Sequence, residues 1–384
     1  MAAAAATVVL GTAMVGVAGA ATVSVPCAGP GGGAAGLVAA VAVANTTTGA
    51  DTIDLAAGCS YVLAAPAAAD NGLPVVTGEL TVRGHGATIR RSSPTPFRIL
   101  EVAPGGDLTL DQVTIAGGLV ALSGPTAFGG GILNGGELTV TRSTISDNTV
   151  SGTGSSAGGG GIANNGTATL TDTVLRNNQA LASGTFIFAG VGGAVLNRTG
   201  AVMTISGSTV TANTALSRGS SEILFIASAG GIGNSGTLAV SGTQVVGNRA
   251  VAAGRNGRGN GGGLSIAGGI VTFTGGAVVG NTALATGVGA SAHGGGVETF
   301  GRTKLSGTTV RSNVASGPEA LGGGIFNGRR LTMVRGVVTA NVAAGTAGPG
   351  RGGGIFSESG RVILHGTDVF ANQPDDCEPA IPGC

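Results

Sequence analysis

Acid–base and ionic chemistry in this chain rests on few side chains: 18 Asp and Glu, 19 Lys and Arg, and three His among 384 residues. The grouping best able to act together is His293, Glu298, Arg302, Arg351 and Glu358. Cleaving a sugar chain by inverting hydrolysis needs two carboxyl groups roughly 6.5 to 9.5 Å apart, and lyase chemistry needs a positioned base beside a cation that holds developing negative charge. The five residues include types for either route, but the spacing of Glu298 and Glu358 favours scattered, solvated charges. Asp375-Asp376 offers carboxylates for calcium; beside Pro374 and Cys377 it reads as a polar turn. Arg142 and Asp172, 30 residues apart, are expected to form an exposed ion pair worth about 0 to 1 kcal/mol. No C-x-x-C or Cys/His cluster suggests zinc. Gly129 to Gly131 and Gly158 to Gly161 lack the Lys-Ser/Thr and following helix of a phosphate loop. Calcium-binding glycine nonapeptides need Asp where Ile, Leu or Asn stands here. No catalytic residue, cofactor or metal is assigned.

What must position these side chains is a repeat. A glycine-rich step into an aliphatic residue recurs eight times, anchored at Ile132, Ile162, Val195, Ile232, Leu264, Val297, Ile325 and Ile355. Each anchor is followed by aliphatic-x-x-Asn, ending at Asn148, Asn178, Asn213, Asn248, Asn281, Asn313, Asn341 and Asn372. Seven steps span the 224 residues from Asn148 to Asn372, a mean period of 32. Anchor to Asn is always 16 to 18 residues, whereas Asn to the next anchor varies from 12 to 19. The fixed part therefore builds the frame, and the variable part is expected to be a loop on one side.

Within the fixed part, the positions three and eight before each Asn are apolar in all eight repeats, and stretches such as Leu138-Thr139-Val140-Thr141 alternate with period two. That is the pattern of short strands with one buried face. No 3.6 period appears between them, which excludes helical repeats. Stacked single-strand turns, each unable to bury its face alone, predict an all-β parallel β-helix of about ten coils. The asparagines are expected at left-handed corners and in an amide ladder, with a second ladder at Asn134, Asn164, Asn197, Asn234 and Asn327. The glycine pairs are expected to supply positive φ at the corner before each anchor. The 77 glycines, about a fifth of the chain, are thus structural.

The ends differ from the middle. Residues 1 to 50 carry no charge, and the apolar run Thr7 to Gly19 ending in Ala18-Gly19-Ala20 reads as a secretory signal over 1–20. A short capping helix is expected over Gly33 to Asn45 within a cap of residues 21–79; the β-helix fills 80–373, and 374–384 closes the other end. Four cysteines near the two ends predict local disulfides, Cys27 with Cys59 and Cys377 with Cys384. The first closes a loop worth roughly 3 to 4 kcal/mol by restricting the unfolded chain.

The repeated Gly-Gly-Gly-Ile132 and Ile145-Ser-Asp-Asn148 pair resembles the GGAI and FxxN signature of chlamydial polymorphic outer-membrane proteins, with aliphatics in place of Phe. Gly49 to Cys59, Gly84-His-Gly-Ala-Thr-Ile89 and Phe97-Arg-Ile-Leu-Glu-Val102 resemble the opening of secreted bacterial β-helix proteins of the CSLREA type, although the CSLREA string itself is missing. The resemblance covers residues 27 to 384 and implies a right-handed, pectate-lyase-like solenoid, export and often a cell-surface location. It implies no activity.

A net charge of +1 without any basic run argues against nucleic acid and anionic membrane as partners. With no Trp and one Tyr, Tyr61, stacking platforms for sugar rings are scarce. The leading expectation is an exported, non-catalytic, monomeric surface module that meets a protein or glycan through its variable loops, without stable membrane insertion. A polysaccharide lyase or glycoside hydrolase is the alternative, and a structural cell-envelope component the third. Two loops, Thr185-Phe-Ile-Phe188 and Glu222-Ile-Leu-Phe-Ile226, are apolar enough to pack on the rod or to form an exposed patch. The segment Ser217 to Ser228 is expected to be dispensable for folding.

Overall fold

The computed structural model describes residues 19–124, 126–185, 189–219 and 225–384. The chain winds into a parallel β-solenoid of about 11 turns. One coil shows the plan. Ile132–Asn134 joins a ten-stranded sheet, Glu137–Thr141 and Thr144–Ser146 join a 21-stranded sheet, Thr149–Thr153 an eight-stranded sheet, and Ala157–Gly158 a seven-stranded sheet. Each strand pairs in parallel with its equivalent in the next coil, as Val140 with Leu170 and Ile145 with Leu175. Residues about 32 apart therefore stack in columns ~4.8 Å apart along the rod.

The interior is lined by the expected apolar columns. Fourteen of the sixteen positions read from the repeat are buried; Leu364 and Val369, in the final coil, are only partly so. Beyond them lies only the short tail, from which Cys377 and Ile381 pack against the core and leave the burial partial. The helix Gly33–Ala44 packs Leu37, Ala40 and Val41 onto the opposite end of the same core. Both disulfides form as expected, with Cα separations of 5.6 Å for Cys27–Cys59 and 6.2 Å for Cys377–Cys384. No described helix is long and apolar enough to cross a membrane. The signal reading falls on residues 1–18, outside the described residues, up to its last two positions.

The eight buried asparagines form an unbroken amide ladder. Each Nδ2 donates to the next Oδ1, from Asn148 to Asn178 at 3.0 Å through to Asn341 and Asn372 at 2.9 Å. The same Oδ1 also accepts the backbone N–H of the preceding Asn, and the second Nδ2 hydrogen reaches back to a carbonyl one coil earlier, as Asn248 to Val210 O at 2.9 Å. At the last rung Asp376 Oδ1 takes the acceptor role, receiving the Asn372 backbone N–H at 2.9 Å and Nδ2 at 2.8 Å. Asp376 thus terminates the ladder. The second ladder runs from Asn134 through Asn164 and Asn197 to Asn234, stops at Ile266, and resumes only as Asn327 to Ser357.

Three details differ from the sequence reading. The left-handed corner residue is not the ladder Asn but the one before it: Asp147 has φ 58°, Asn177 57° and Ala212 54°. Within the glycine runs, positive φ falls three residues before the anchor, on a glycine in seven of the eight repeats, as Gly129 at 64°, and on Ala229 at 58° in the other, while the two residues nearer the anchor do not carry it. The glycine directly before the anchor is needed for room instead, since a Cβ on Gly131 or Gly324 would lie 2.8 or 2.9 Å from the ladder amide beside it. Finally, the variable part is not one loop. In six of the seven segments between a ladder Asn and the next anchor it holds a strand of the eight-stranded and a strand of the seven-stranded sheet, with length changes between them; the segment from Asn341 to Ile355 has only the first.

The expected dispensable segment illustrates this last point. It overlaps the strands Thr214–Gly219 and Ile226–Ser228, and it contains the buried Ser217 and Phe225. Phe225 lies in the space left by Gly219 and Gly254, so this apolar loop residue packs on the rod. Phe186 to Phe188 and Glu222 to Leu224 lie outside the described residues. Deleting Ser217 to Ser228 should therefore lower stability rather than leave it unchanged. In thermal or urea unfolding, Asn248→Ala is expected to cost about 2 to 4 kcal/mol by orphaning several buried groups, and Val245→Asp about 4 kcal/mol or more. Ser241→Ala, on the exposed face, should stay within about 0.5 kcal/mol. Equal losses for all three would show that the ladder and core are misassigned.

Candidate binding groove on the late coils

Where the seven-stranded sheet turns into the ten-stranded sheet, two outward columns face each other across the glycine corner. One holds Asn260, His293, Leu321 and Arg351 in successive coils. The other holds Ser265, Glu298, Phe326, Phe356 and Glu378. In the middle coils these columns are small or aliphatic, with Gly158 and Ala163 in one coil and Val191 and Leu196 in the next, although the coils before them place Phe128 in one column and Glu101 in the other. On the late coils they become polar and aromatic and border a cavity of about 380 Å³ lined by Arg258, Ser291, His293, Phe300, Glu319, Leu321, Phe326, Arg351, Phe356 and Glu358.

Four of the five residues grouped from sequence meet here, and one does not. Arg302 lies on the outward face of the 21-stranded sheet, in register with Ile270 and Arg330. The reading of solvated charges holds for Arg302, Arg351 and Glu358, which are exposed, and fails for Glu298 and His293, which are 2% and 7% exposed. Glu298 does point away from the solenoid interior, as strand alternation requires, since its neighbours Val297 and Thr299 face inward. It is covered because its column neighbour is Phe326, which is itself fully buried.

The His293 ring stacks on Phe326 with centroids 4.5 Å apart and planes 4° from parallel. Phe356 continues the stack at 5.6 Å, and Phe300, 38% exposed, tilts onto Phe326 at 5.7 Å. Arg351 lies over Phe356 at 4.9 Å and reaches Glu319 and Glu378, each at 3.6 Å. A polar chain enters from the earlier coils: Ser228 Oγ meets Ser265 Oγ at 2.9 Å, and Ser265 donates to Glu298 Oε2 at 2.5 Å. Three buried atoms in these columns, Asn260 Oδ1, His293 Nε2 and Glu298 Oε1, have no protein partner. Buried polar atoms are normally satisfied by protein or ordered water, so three without a protein partner in one place set this corner apart from the rest of the described solenoid.

Burial also sets the protonation. Glu298 is raised from 4.5 to about 7, chiefly by desolvation; the Ser265 hydrogen bond and Arg258 oppose this, while Glu358 adds to it. His293 is lowered from 6.5 to about 4 by desolvation and then by Arg258, so its imidazole is neutral at neutral pH. Near neutrality the site therefore holds a half-protonated acid and an uncharged ring. Glu298 is not among the residues that line the cavity, which suits it to holding the groove's shape rather than to attacking a substrate.

The remaining sequence candidates have structural roles. Arg142 pairs with Asp111, Nη2 lying 2.7 Å from both carboxylate oxygens, and not with Asp172. Asp375 Oδ2 accepts the Gly352 N–H at 3.3 Å. Tyr61 is buried and donates to Val25 O at 2.5 Å, so it offers no face to a ligand. Sequence reasoning missed Arg258, Asn260, Phe300 and Phe356. The signal was available: aligning the repeats on their anchors puts Ser265, Glu298, Phe326 and Phe356 in one column.

The fold defines a parallel β-solenoid protein, with the groove as its candidate site. No protein family matches the chain, and no curated protein does. Among solved structures it is similar to the A-module of the mannuronan C-5 epimerase AlgE6 of Azotobacter vinelandii, at 13% identity over 89% of this chain and 95% of that one, with a TM-score of 0.35.

The two shifted groups give a signed pH test. Between about pH 4.5 and 7 the folded state holds a proton on Glu298 that the unfolded state has released, so this group makes stability fall as pH rises. Between about 4 and 6.5 the unfolded state holds a proton on His293 that the folded state lacks, so this group makes stability rise with pH. The two oppose each other over most of their range, each being worth about 3 kcal/mol in full. Relative to the parent, Glu298→Gln should steepen the gain in stability from pH 4.5 to 6.5, and His293→Asn should reverse it. Parallel pH–stability curves for all three proteins would refute the buried, unpaired setting of both groups.

Proposed function

We propose that this protein is an exported, non-catalytic β-solenoid that binds a glycan in the groove of its late coils. The observation that carries the reading is the concentration of unpartnered buried polar atoms beside stacked rings. Asn260 Oδ1 and His293 Nε2 can accept hydroxyl hydrogens, the exposed Phe300 ring offers an apolar face to a sugar's C–H surface, and Arg258, Arg351, Glu319 and Glu358 line the groove with charges of both signs. A cavity of about 380 Å³ lies at the lower end of the usual range for ligand pockets. The scarcity of Trp and Tyr is offset locally because three of the ten Phe gather at this one place. The groove thus replaces the variable loops as the surface we assign to recognition. Export is supported by the two disulfides, which persist in oxidising compartments.

One observation favours a catalytic reading: the Glu298 carboxyl titrates near 7, where a general acid operates best, and Glu358 is close enough to raise it. Against it stand the complete burial of that carboxyl and its hydrogen bond to Ser265. Screening purified protein against neutral and uronate-containing oligosaccharides should identify a binder whose affinity falls about tenfold or more in Phe300→Ala and Arg351→Ala. Failure of every oligosaccharide to bind, or binding indifferent to both variants, would remove the groove from recognition. Pectate, alginate and hyaluronan should remain uncleaved with or without calcium. Turnover that is lost in Glu298→Gln would make the enzyme reading the correct one.

A further inference from the structure

The outermost column of the 21-stranded sheet has a charge order that the groove does not use. It begins with Glu79, Asp107 and Glu137 in successive coils and ends with Arg302, Arg330 and Arg361 in successive coils. Between these triads the register runs Thr167, Val202, Thr237 and Ile270, an uncharged middle of four coils. Two of these four, Val202 at 43% and Ile270 at 50%, are among the few exposed large hydrophobic residues. None of the six charged side chains makes a hydrogen bond or ion pair to another described residue. Like charges stacked at ~4.8 Å repel one another, so each end of the column is destabilising in an isolated molecule.

From this pattern we infer that the face binds a second copy of this chain, with the two rods antiparallel. A twofold axis parallel to the strands, between the coils of Val202 and Thr237, reverses the rod and leaves the column aligned on itself. Counting outward from that axis, Val202 meets Thr237, Thr167 meets Ile270, and Glu137, Asp107 and Glu79 meet Arg302, Arg330 and Arg361. Every charge finds its opposite, twice over by symmetry, and both exposed apolar residues fall in the central coils. The neighbouring outward column is Thr81, Thr109, Thr139, Thr169 and Thr204 in its first five coils and Ala239, Thr272, Lys304, Thr332 and Ile363 in the rest; the same axis sets Lys304, its one charge, against Thr139. Ten coils at ~4.8 Å and a five-residue strand give a face of about 48 by 16 Å, near the ~800 Å² per partner of an ordinary stable interface. The interaction is isologous and closes on itself, so it ends at a dimer. It replaces the monomer expected from sequence, and it lies on a different sheet from the groove and does not depend on the glycan reading.

Sedimentation velocity on the mature protein at about 50 mM NaCl should give a dimer mass, with the dissociation constant rising about tenfold or more when the salt is raised to about 500 mM. Reversing one triad, Arg302→Glu with Arg330→Glu and Arg361→Glu, should give monomer. So should Glu79→Arg with Asp107→Arg and Glu137→Arg. Mixing the two reversed proteins should restore pairing as a heterodimer, because one face then carries six negative charges and the other six positive, and one chain carrying both reversals should dimerise with itself again. Circular dichroism checks that the exposed substitutions leave the fold intact, and Ile270→Glu, a single change near the axis, provides an independent loss of dimer. Monomer at all concentrations in low salt would overturn the proposal, as would dimer unaffected by either reversal. Monomer that is retained on an acidic polysaccharide column through the arginine triad would assign that triad to a polyanion instead.

Discussion

Everything in this molecule depends on one constraint: each coil must satisfy the polar groups of the coil before it. The ladder asparagines are buried, and their amides bring two donors and an acceptor into a dry interior, where each unmet group costs about 1 to 3 kcal/mol. A single coil cannot meet that demand. Only the next Asn, at the same height and orientation, can, and Asp376 supplies the final acceptor where no further Asn follows. The glycine before each anchor belongs to the same device, because its missing side chain is the space the amide occupies. Ala194, in the one repeat without that glycine, is buried without positive φ, so the position does not demand a left-handed backbone and a single methyl group is accommodated there.

A frame locked in this way converts sequence spacing into spatial columns. Inward columns are held to apolar residues by packing. Outward columns are free to vary, and that is where individual character collects. The groove arises because two outward columns flank a corner too tight to admit side chains, so residues on either side cover one another. Glu298 is buried there through geometry and not through membership of the core. Its raised carboxyl and the neutral His293 follow from the same cover, since neither has a full set of partners to offset desolvation.

The long outward column illustrates the complementary case. Its charges are solvated, and their effect depends on order along the rod. A chain with a net charge of +1 carries three acids stacked at one end of a face and three arginines at the other. The acids are about 30 residues apart in sequence and the arginines 28 and 31, so neither forms a charged run that a linear scan would notice.

The sequence by itself determined the solenoid. The 32-residue period, the alternating apolar positions and the repeated Asn each reflect a short-range requirement that recurs in every coil, and such requirements are written locally. It also determined the capping helix and the disulfides, through an apolar stripe and paired cysteines at each end. What only the tertiary structure decided was where each coil bends and what each outward side chain meets. Positive φ falls beside the residues chosen for it, because corner geometry depends on how coils stack. Glu298 is buried, Arg142 turns to Asp111, and Arg302 joins Arg330 and Arg361, because burial and charge pairing depend on neighbours one period away in the chain.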